Sequence, residues 1–366
     1  MKFLDLFSGI GGFRLGLERA GHTAIGYCEI DEKARKSYQA IFNPKNEWTA
    51  KDITKVTDKE WRDLNQIYGT IDLISGGFPC QAFSLSGRRK GFDDARGTLF
   101  FDLMRAAQQI KPRLLFFENV SGLLSHEDGR TFATILSIMD ECGYDVEWRV
   151  LNSKTYGYVP QNRERIYIIG HSRKESFYKI FPLREIPQTI FRKQHYSNVT
   201  NVVGVTRERN APRFGNTQAV YSDKGIIGTL MASDDGNAKQ ILEEIHSFEE
   251  DDVFIKIPNQ IETLSFPQQL SLFEDIKKSR TSYLVTKIAM IEDQALPIIS
   301  KGDISFADSR FFRLRRLTAK EYWRLQSFPD WAYERAAAVN LESALYKQAG
   351  NSVTVNVIYE IAKKLY

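Results

Sequence analysis

The sequence predicts an α/β fold built on a mainly parallel sheet, followed by a second, more irregular lobe. Two observations carry this: strand and helix patterns alternate through the first third of the chain, and the alternation breaks down from about Ser172. In order, KFLDLF reads as a strand, Gly12–Ala20 as a helix and TAIGYCEI as a strand, with a second helix beginning near Asp31. TIDLIS and RLLFFEN follow as strands, separated by a helical stretch from about Leu99 to Gln109. Such a βαβ series places helices on both faces of the sheet. Two more strands fit Tyr144–Asn152 and Ile166–Gly170. Beyond Ser172 the segments are short and mixed, interrupted by Pro182, Pro187, Pro212, Pro258 and Pro267. Helical patterning returns in LTAKEYWRLQSF and in VTVNVIYEIAKKL, where Val353, Val357, Ile358 and Ile361 fall on one face.

With 366 residues, 42% hydrophobic and 26% charged, the chain can bury a full core and is long enough for two lobes. MKFLDLFSGIGGF lacks the small-residue cleavage site of a signal peptide, and no run approaches a membrane span, so a cytoplasmic protein is expected. The three cysteines, Cys28, Cys80 and Cys142, lack metal-ligand spacing and the five histidines are scattered, which points to a reducing compartment and no metal. The net charge of +4 decides little, but its distribution says more. Residues 172–215 carry nine Lys or Arg against three acids, whereas residues 241–275 carry nine acids and one Lys. A polyanion is attracted to the first stretch and repelled by the second; two solvated faces are the plain alternative.

Asp5-Leu6-Phe7-Ser8-Gly9-Ile10-Gly11-Gly12-Phe13 spans the junction of first strand and first helix. Glycines there permit a tight turn and close approach of a ligand to the main chain. Glu29 ends the second strand, where an acid can accept hydrogen bonds from a ribose diol. The pattern suits nucleotide-type ligands generally, nicotinamide cofactors included. It lacks GxGxxG spacing, however, and so presents no specific pyrophosphate site, which favours adenosylmethionine.

Gly76-Gly77-Phe78-Pro79-Cys80-Gln81-Ala82-Phe83-Ser84 follows the strand TIDLIS directly, which puts Cys80 at the sheet edge where open α/β sheets bind ligands. Cys28 and Cys142 read instead as small buried hydrophobes. Glu118 closes RLLFFEN at the same edge, and in Gln161-Asn162-Arg163-Glu164-Arg165 the two arginines share a face of an extended segment.

These segments together resemble the ordered motifs of the cytosine-5 DNA methyltransferase family: DLFSGIGGF, GGFPCQAFS, FFENV, QNRER, RRLTAKEYWRLQSFPD and QAGNSV occur in the family's order, with its long variable gap before the RLT segment. The resemblance implies a Rossmann-like methyltransferase fold with a smaller, mostly β target-recognition domain. Residues 1–178 and 338–366 would form the catalytic domain, and residues 179–337 the recognition domain, including a structural brace at 313–329. It implies Cys80 as a thiolate that adds to cytosine C6, Glu118 as the group that neutralises charge at N3, and Arg165 as the residue that orients the base. Arg163 would support Glu118 or a backbone phosphate. S-adenosyl-L-methionine, leaving as S-adenosyl-L-homocysteine, would be held by Phe7, Ser8, Gly9, Ile10, Gly11 and Gly12, with Glu29 on the ribose and Asp52 and Ile53 on the adenine edge. Gly77, Pro79 and Leu99 would complete one wall, and Asn351 and Ser352 the methionine end. Ile30 departs from the family, which often has an aromatic residue there. The expected partner is double-stranded DNA carrying a flipped-out base, contacted by Ser84, Arg88, Arg89, Arg207, Arg209, Arg213 and Thr229. A monomer in a bacterial or phage-infected cell, at the nucleoid, is expected, with a cognate restriction endonuclease as candidate genetic partner. Three alternatives stay open at this point: an RNA cytosine methyltransferase, a non-catalytic DNA-binding regulator and a nicotinamide oxidoreductase.

Overall fold

A computed structural model of the chain describes residues 1–79, 99–174, 178–183, 202–205, 219–222, 227–228, 230, 240–245 and 311–366. Its centre is a seven-stranded sheet of β1 (Lys2–Leu6), β2 (Thr23–Cys28), β3 (Trp48–Ala50), β4 (Leu73–Gly77), β5 (Leu114–Val120), β6 (Tyr144–Asn152) and β8 (Glu164–Ser172). The order is β3-β2-β1-β4-β5-β8-β6. The first five strands run parallel, and β8 pairs antiparallel with both β5 and β6. The apolar runs in β1 and β5 are nearly continuous because both faces of the sheet are covered. Phe3, Leu114 and Phe116 point into one core, and Leu4, Leu6, Leu115 and Phe117 into the other.

The first of these cores is closed by α1 (Gly12–Arg19) and by the last helix, α10 (Val355–Ala362). Val353 precedes that helix, yet packs with Val357, Ile358 and Ile361 in the same cluster. The second core is closed by α3 (Asp58–Tyr68), α4 (Leu99–Ile110) and α5 (Arg130–Glu141). Asp31 caps α2 (Glu32–Phe42), accepting from the amides of Lys33 and Ala34. The helix expected across LTAKEYWRLQSF is shorter: α7 (Ala319–Leu325) starts at a Thr318–Glu321 capping box and ends before Ser327, whose φ is 62°. Two further helices, α8 (Asp330–Ala337) and α9 (Glu342–Asn351), complete a third cluster, in which Trp323, Phe328 and Leu345 pack with Ile10 and Ile41.

A second sheet of four strands has the order β13-β12-β10-β9, formed by β9 (Val202–Val205), β10 (Ala219–Ser222), β12 (Gln240–Ile245) and β13 (Phe311–Arg316). It gives the second lobe its β character. β11 (Ile227–Gly228) pairs instead with β7 (Gln161–Asn162), so a segment of that lobe is stitched to the arginine motif of the first. Among the described residues no helix is long and apolar enough to cross a membrane.

Candidate active site

The turn between β1 and α1 is drawn tight against the end of β2. The Ser8 amide donates to the Cys28 carbonyl at 3.0 Å, and the Gly9 amide donates to Glu29 Oε2 at 2.7 Å. Glu29 Oε1 accepts from the Asp31 amide at 2.7 Å, so one carboxylate organises both loops. Burial nevertheless pushes the Glu29 pKa up. Phe7 is held at φ 57°, a left-handed conformation that a non-glycine residue adopts at a cost, as residues at binding sites often do.

At the C-terminal end of β5, Glu118 is 8% exposed and its Oε1 lies 3.2 Å from Arg165 Nε. Register brings them together: Val120 on β5 pairs with Arg165 on β8, two residues from Glu118. Gly77 pairs with Glu118 across β4, and a Cβ there would lie 3.1 Å from Glu118 Oε2, so the glycine leaves the carboxyl its space. Burial raises the Glu118 pKa, and the two arginines only partly offset this. Asn119 secures the neighbouring loop by donating to the Phe78 carbonyl at 2.9 Å. Arg163 is 2% exposed and donates to three carbonyls: Ser352 at 2.7 Å, Gly350 at 3.1 Å and Leu230 at 3.2 Å. Burial and the adjacent Arg165 charge push its pKa down. The expected phosphate contact therefore does not hold for Arg163, whose fork is enclosed by backbone; toward Glu118 it acts through charge.

These groups face one cleft of about 480 Å³, an ordinary size for a small-ligand site. The glycine turn forms its floor and Glu118, Arg163 and Arg165 one end. The Asn351–Ser352 segment, delivered by α9, forms another wall.

The whole chain, residues 1–366, matches the family model for C-5 cytosine-specific DNA methylase. The chain belongs to this family. Among its relatives, the Type II methyltransferase M.HpaII of Haemophilus parainfluenzae is 33% identical over 99% of this chain and 88% of its own. The orphan methyltransferase M.SPRI of Bacillus phage SPR is 27% identical over 100% and 97%. The solved S. pombe Dnmt2 methyltransferase has the same fold, with a TM-score of 0.62 at 18% identity, covering 100% of this chain and 98% of that one. The protein is thus a DNA (cytosine-5-)-methyltransferase, and the whole-chain match leaves no ground for the oxidoreductase reading.

In this methyltransferase every sequence-predicted cofactor residue lines the cleft except Gly11. Gly11, at φ 87°, opens α1, and a Cβ there would lie 2.2 Å from the Phe42 ring, so packing behind the turn also requires this glycine. Ile30, 71% exposed, lines the cleft as an apolar surface. Cys28 is buried with its thiol pushed up to about 12, and Cys142 is partly buried with its thiol pushed up to about 11, which fits neither for nucleophilic work at neutral pH. Cys80, Ser84, Arg88, Arg89, Arg207, Arg209, Arg213 and Thr229 lie outside the described residues. Thr229 is flanked by anchored positions: Gly228 pairs with Asn162, and the Leu230 amide donates to Gln161 Oε1 at 3.3 Å. The sequence reading missed Asp31 and Lys347, which line the cleft as a pair 3.2 Å apart, and Gln348, although QAGNSV was itself the signal for the last.

Proposed function

We propose that this methyltransferase moves a methyl group from S-adenosyl-L-methionine to C5 of a flipped-out cytosine in a specific double-stranded DNA sequence, through a covalent bond between Cys80 and C6. The observation that carries the reading is the convergence on one cleft of the glycine turn, Glu29 and the buried Glu118–Arg165 pair.

The residues present fit that cofactor. The cleft combines apolar surface from Phe7, Ile10, Ile53 and Leu99 with an acid suited to a diol, and two buried polar groups in its lining, Ser8 Oγ and Gln348 Nε2, have no partner among the described residues. Phe7, Ile10 and Gly12 would surround the ligand, with Glu29 on the ribose, Asp52 and Ile53 on the adenine edge, and Asn351 and Ser352 at the methionine end. When bound, S-adenosyl-L-methionine supplies an electrophilic sulfonium methyl.

The protein's own part is to make C5 nucleophilic. Cys80 follows Pro79, which lines the cleft; as a thiolate it adds to C6, forming the S–C6 bond and moving negative charge through the ring. Glu118, whose burial favours the protonated form, gives its proton to N3 as that charge develops. Arg165 holds the carboxyl in place and limits how far its pKa rises. After methylation a base takes the C5 proton, the N3 proton returns to Glu118 and the S–C6 bond breaks, which restores aromaticity, the protonated carboxyl and the thiolate. Residues 179–337 serve as the recognition domain in this reading. The basic run Arg173–Arg213 borders the DNA groove and the acidic run Glu243–Asp275 faces away.

The test is transfer of labelled methyl groups to duplex DNA by Cys80→Ser. Turnover should be abolished, because an alcohol is a far weaker nucleophile than a thiolate, while cofactor binding persists. Normal methylation by that variant overturns the mechanism.

A further inference from the structure

Gln348, on α9, lines the cleft and is 7% exposed. Its Oε1 accepts from Ser37 Oγ at 2.9 Å, and the direction of that bond is fixed by what lies behind it. Asn340 Nδ2 donates to the Lys33 carbonyl at 2.9 Å and to Ser37 Oγ at 2.9 Å. A carbonyl can only accept, so the Asn340 group is the amide nitrogen, and Ser37 receives from it. The single hydroxyl proton of Ser37 is then free to go only to Gln348, and only an amide oxygen can take it. The polarity therefore runs from Asn340 through Ser37 to Gln348. It leaves Gln348 Nε2, with two protons, buried and without an acceptor among the described residues. An amide donor left unmet in a buried site is costly, and here it belongs to a residue that lines a ligand cleft.

From this relay we infer that Gln348 binds the α-carboxylate of the methionyl moiety, an inference that rests on the cofactor reading above. The ligand's adenine nitrogens and ribose oxygens all belong to its adenosine end, which Glu29, Asp52 and Ile53 hold in that reading. At its methionine end the ammonium is itself a donor, which leaves the carboxylate as the acceptor there. Gln348 stands three residues before Asn351 on the same helix, at the methionine end of the cleft. A carboxylate is also the strongest acceptor available, and a donor held from behind by a hydrogen-bonded chain meets it without losing side-chain freedom on binding.

The experiment compares S-adenosyl-L-methionine with its decarboxylated analogue, which differs only in lacking that group, by calorimetry on the full chain. Gln348→Glu keeps the shape and the bond from Ser37 but turns the donor into a second carboxylate. It should weaken S-adenosyl-L-methionine about tenfold or more and leave the analogue bound at least as well as by the parent. Gln348→Met should show the same selective loss, with the analogue within about twofold of the parent. Equal weakening of both ligands, which a merely structural role would produce, overturns the assignment, as does the absence of any loss. A parent protein that binds neither ligand overturns the cofactor reading itself, an outcome distinct from failure of the variants to discriminate.

Discussion

Replacing Arg163 with methionine should be the most damaging single change among the polar residues of the cleft wall, and its size follows from three bonds. The guanidinium is fully enclosed and holds the carbonyls of Leu230, Gly350 and Ser352 at 3.2, 3.1 and 2.7 Å. Methionine fills much of the same volume but leaves all three acceptors buried and unmet, at about 1–2 kcal/mol each. Against this, Arg163 Nε is itself buried without a partner, and its removal gives back about 1 kcal/mol. The balance is a loss of about 3 kcal/mol, comparable to breaking a buried charged interaction from one side. Because two of the carbonyls belong to the segment that carries Asn351 and Ser352, cofactor affinity should fall together with stability. Urea unfolding and calorimetric titration of Arg163→Met, with Arg163→Lys as a partial rescue able to reach fewer of the carbonyls, measure both. A stability loss below about 1 kcal/mol with unchanged cofactor affinity would refute the argument.

Glu118→Gln keeps the shape of the carboxyl but cannot deliver its proton, so single-turnover methylation should slow by about 100-fold or more while DNA binding, followed by fluorescence anisotropy, is retained; a parent-like rate removes Glu118 from the mechanism. Asp5 is fully buried, and burial raises its pKa well above the ordinary value against the lowering effect of the Arg14 charge and backbone amide. The folded chain thus keeps a proton that the unfolded chain releases above about pH 3.9, so this group's favourable contribution is present at low pH and lost as pH rises through the raised value. Asp5→Asn should therefore match the parent near pH 4 and gain on it steadily toward pH 8 in thermal melts; a constant difference across that range contradicts the sign. Neutralising Arg207, Arg209 and Arg213 together should reduce the log–log salt slope of DNA binding by up to roughly 2.7, about 0.9 for each true phosphate contact, and an unchanged slope moves the DNA surface elsewhere.

The central sheet could be read from the chain because both faces of β1, β4 and β5 are covered, so their strands are mostly apolar, with polar residues chiefly at the ends that face the cleft. β3 escaped the reading because three residues, Trp48-Thr49-Ala50, carry no period. α3 is a different case: its Thr57–Glu60 capping box stands in the sequence as a start signal that the apolar pattern, with only Trp61 and Leu64 buried, did not reinforce. At the site, residues whose type announces chemistry were found, Glu29, Glu118 and Arg165 among them. The partners of Arg163 were not, since they are main-chain carbonyls 67, 187 and 189 residues away, and no side-chain identity encodes a carbonyl. For Gly11 the sequence is likewise silent about the ring behind the turn. A glycine required by the Phe42 ring looks in sequence like a glycine required by a ligand.

The cleft is walled on one side by Ser8–Gly12 and on another by Gly350–Val353, and the helix that follows the second segment covers the same core as α1. Ribosomal synthesis delivers these two walls more than three hundred residues apart. While the intervening chain emerges, Phe13 and Leu17 have no Val357, Ile358 or Ile361 to pack against, and the first strand–helix unit waits with its apolar face open. In the proposed reading the donor's site is therefore complete only once both of these distant segments have been made and have packed together.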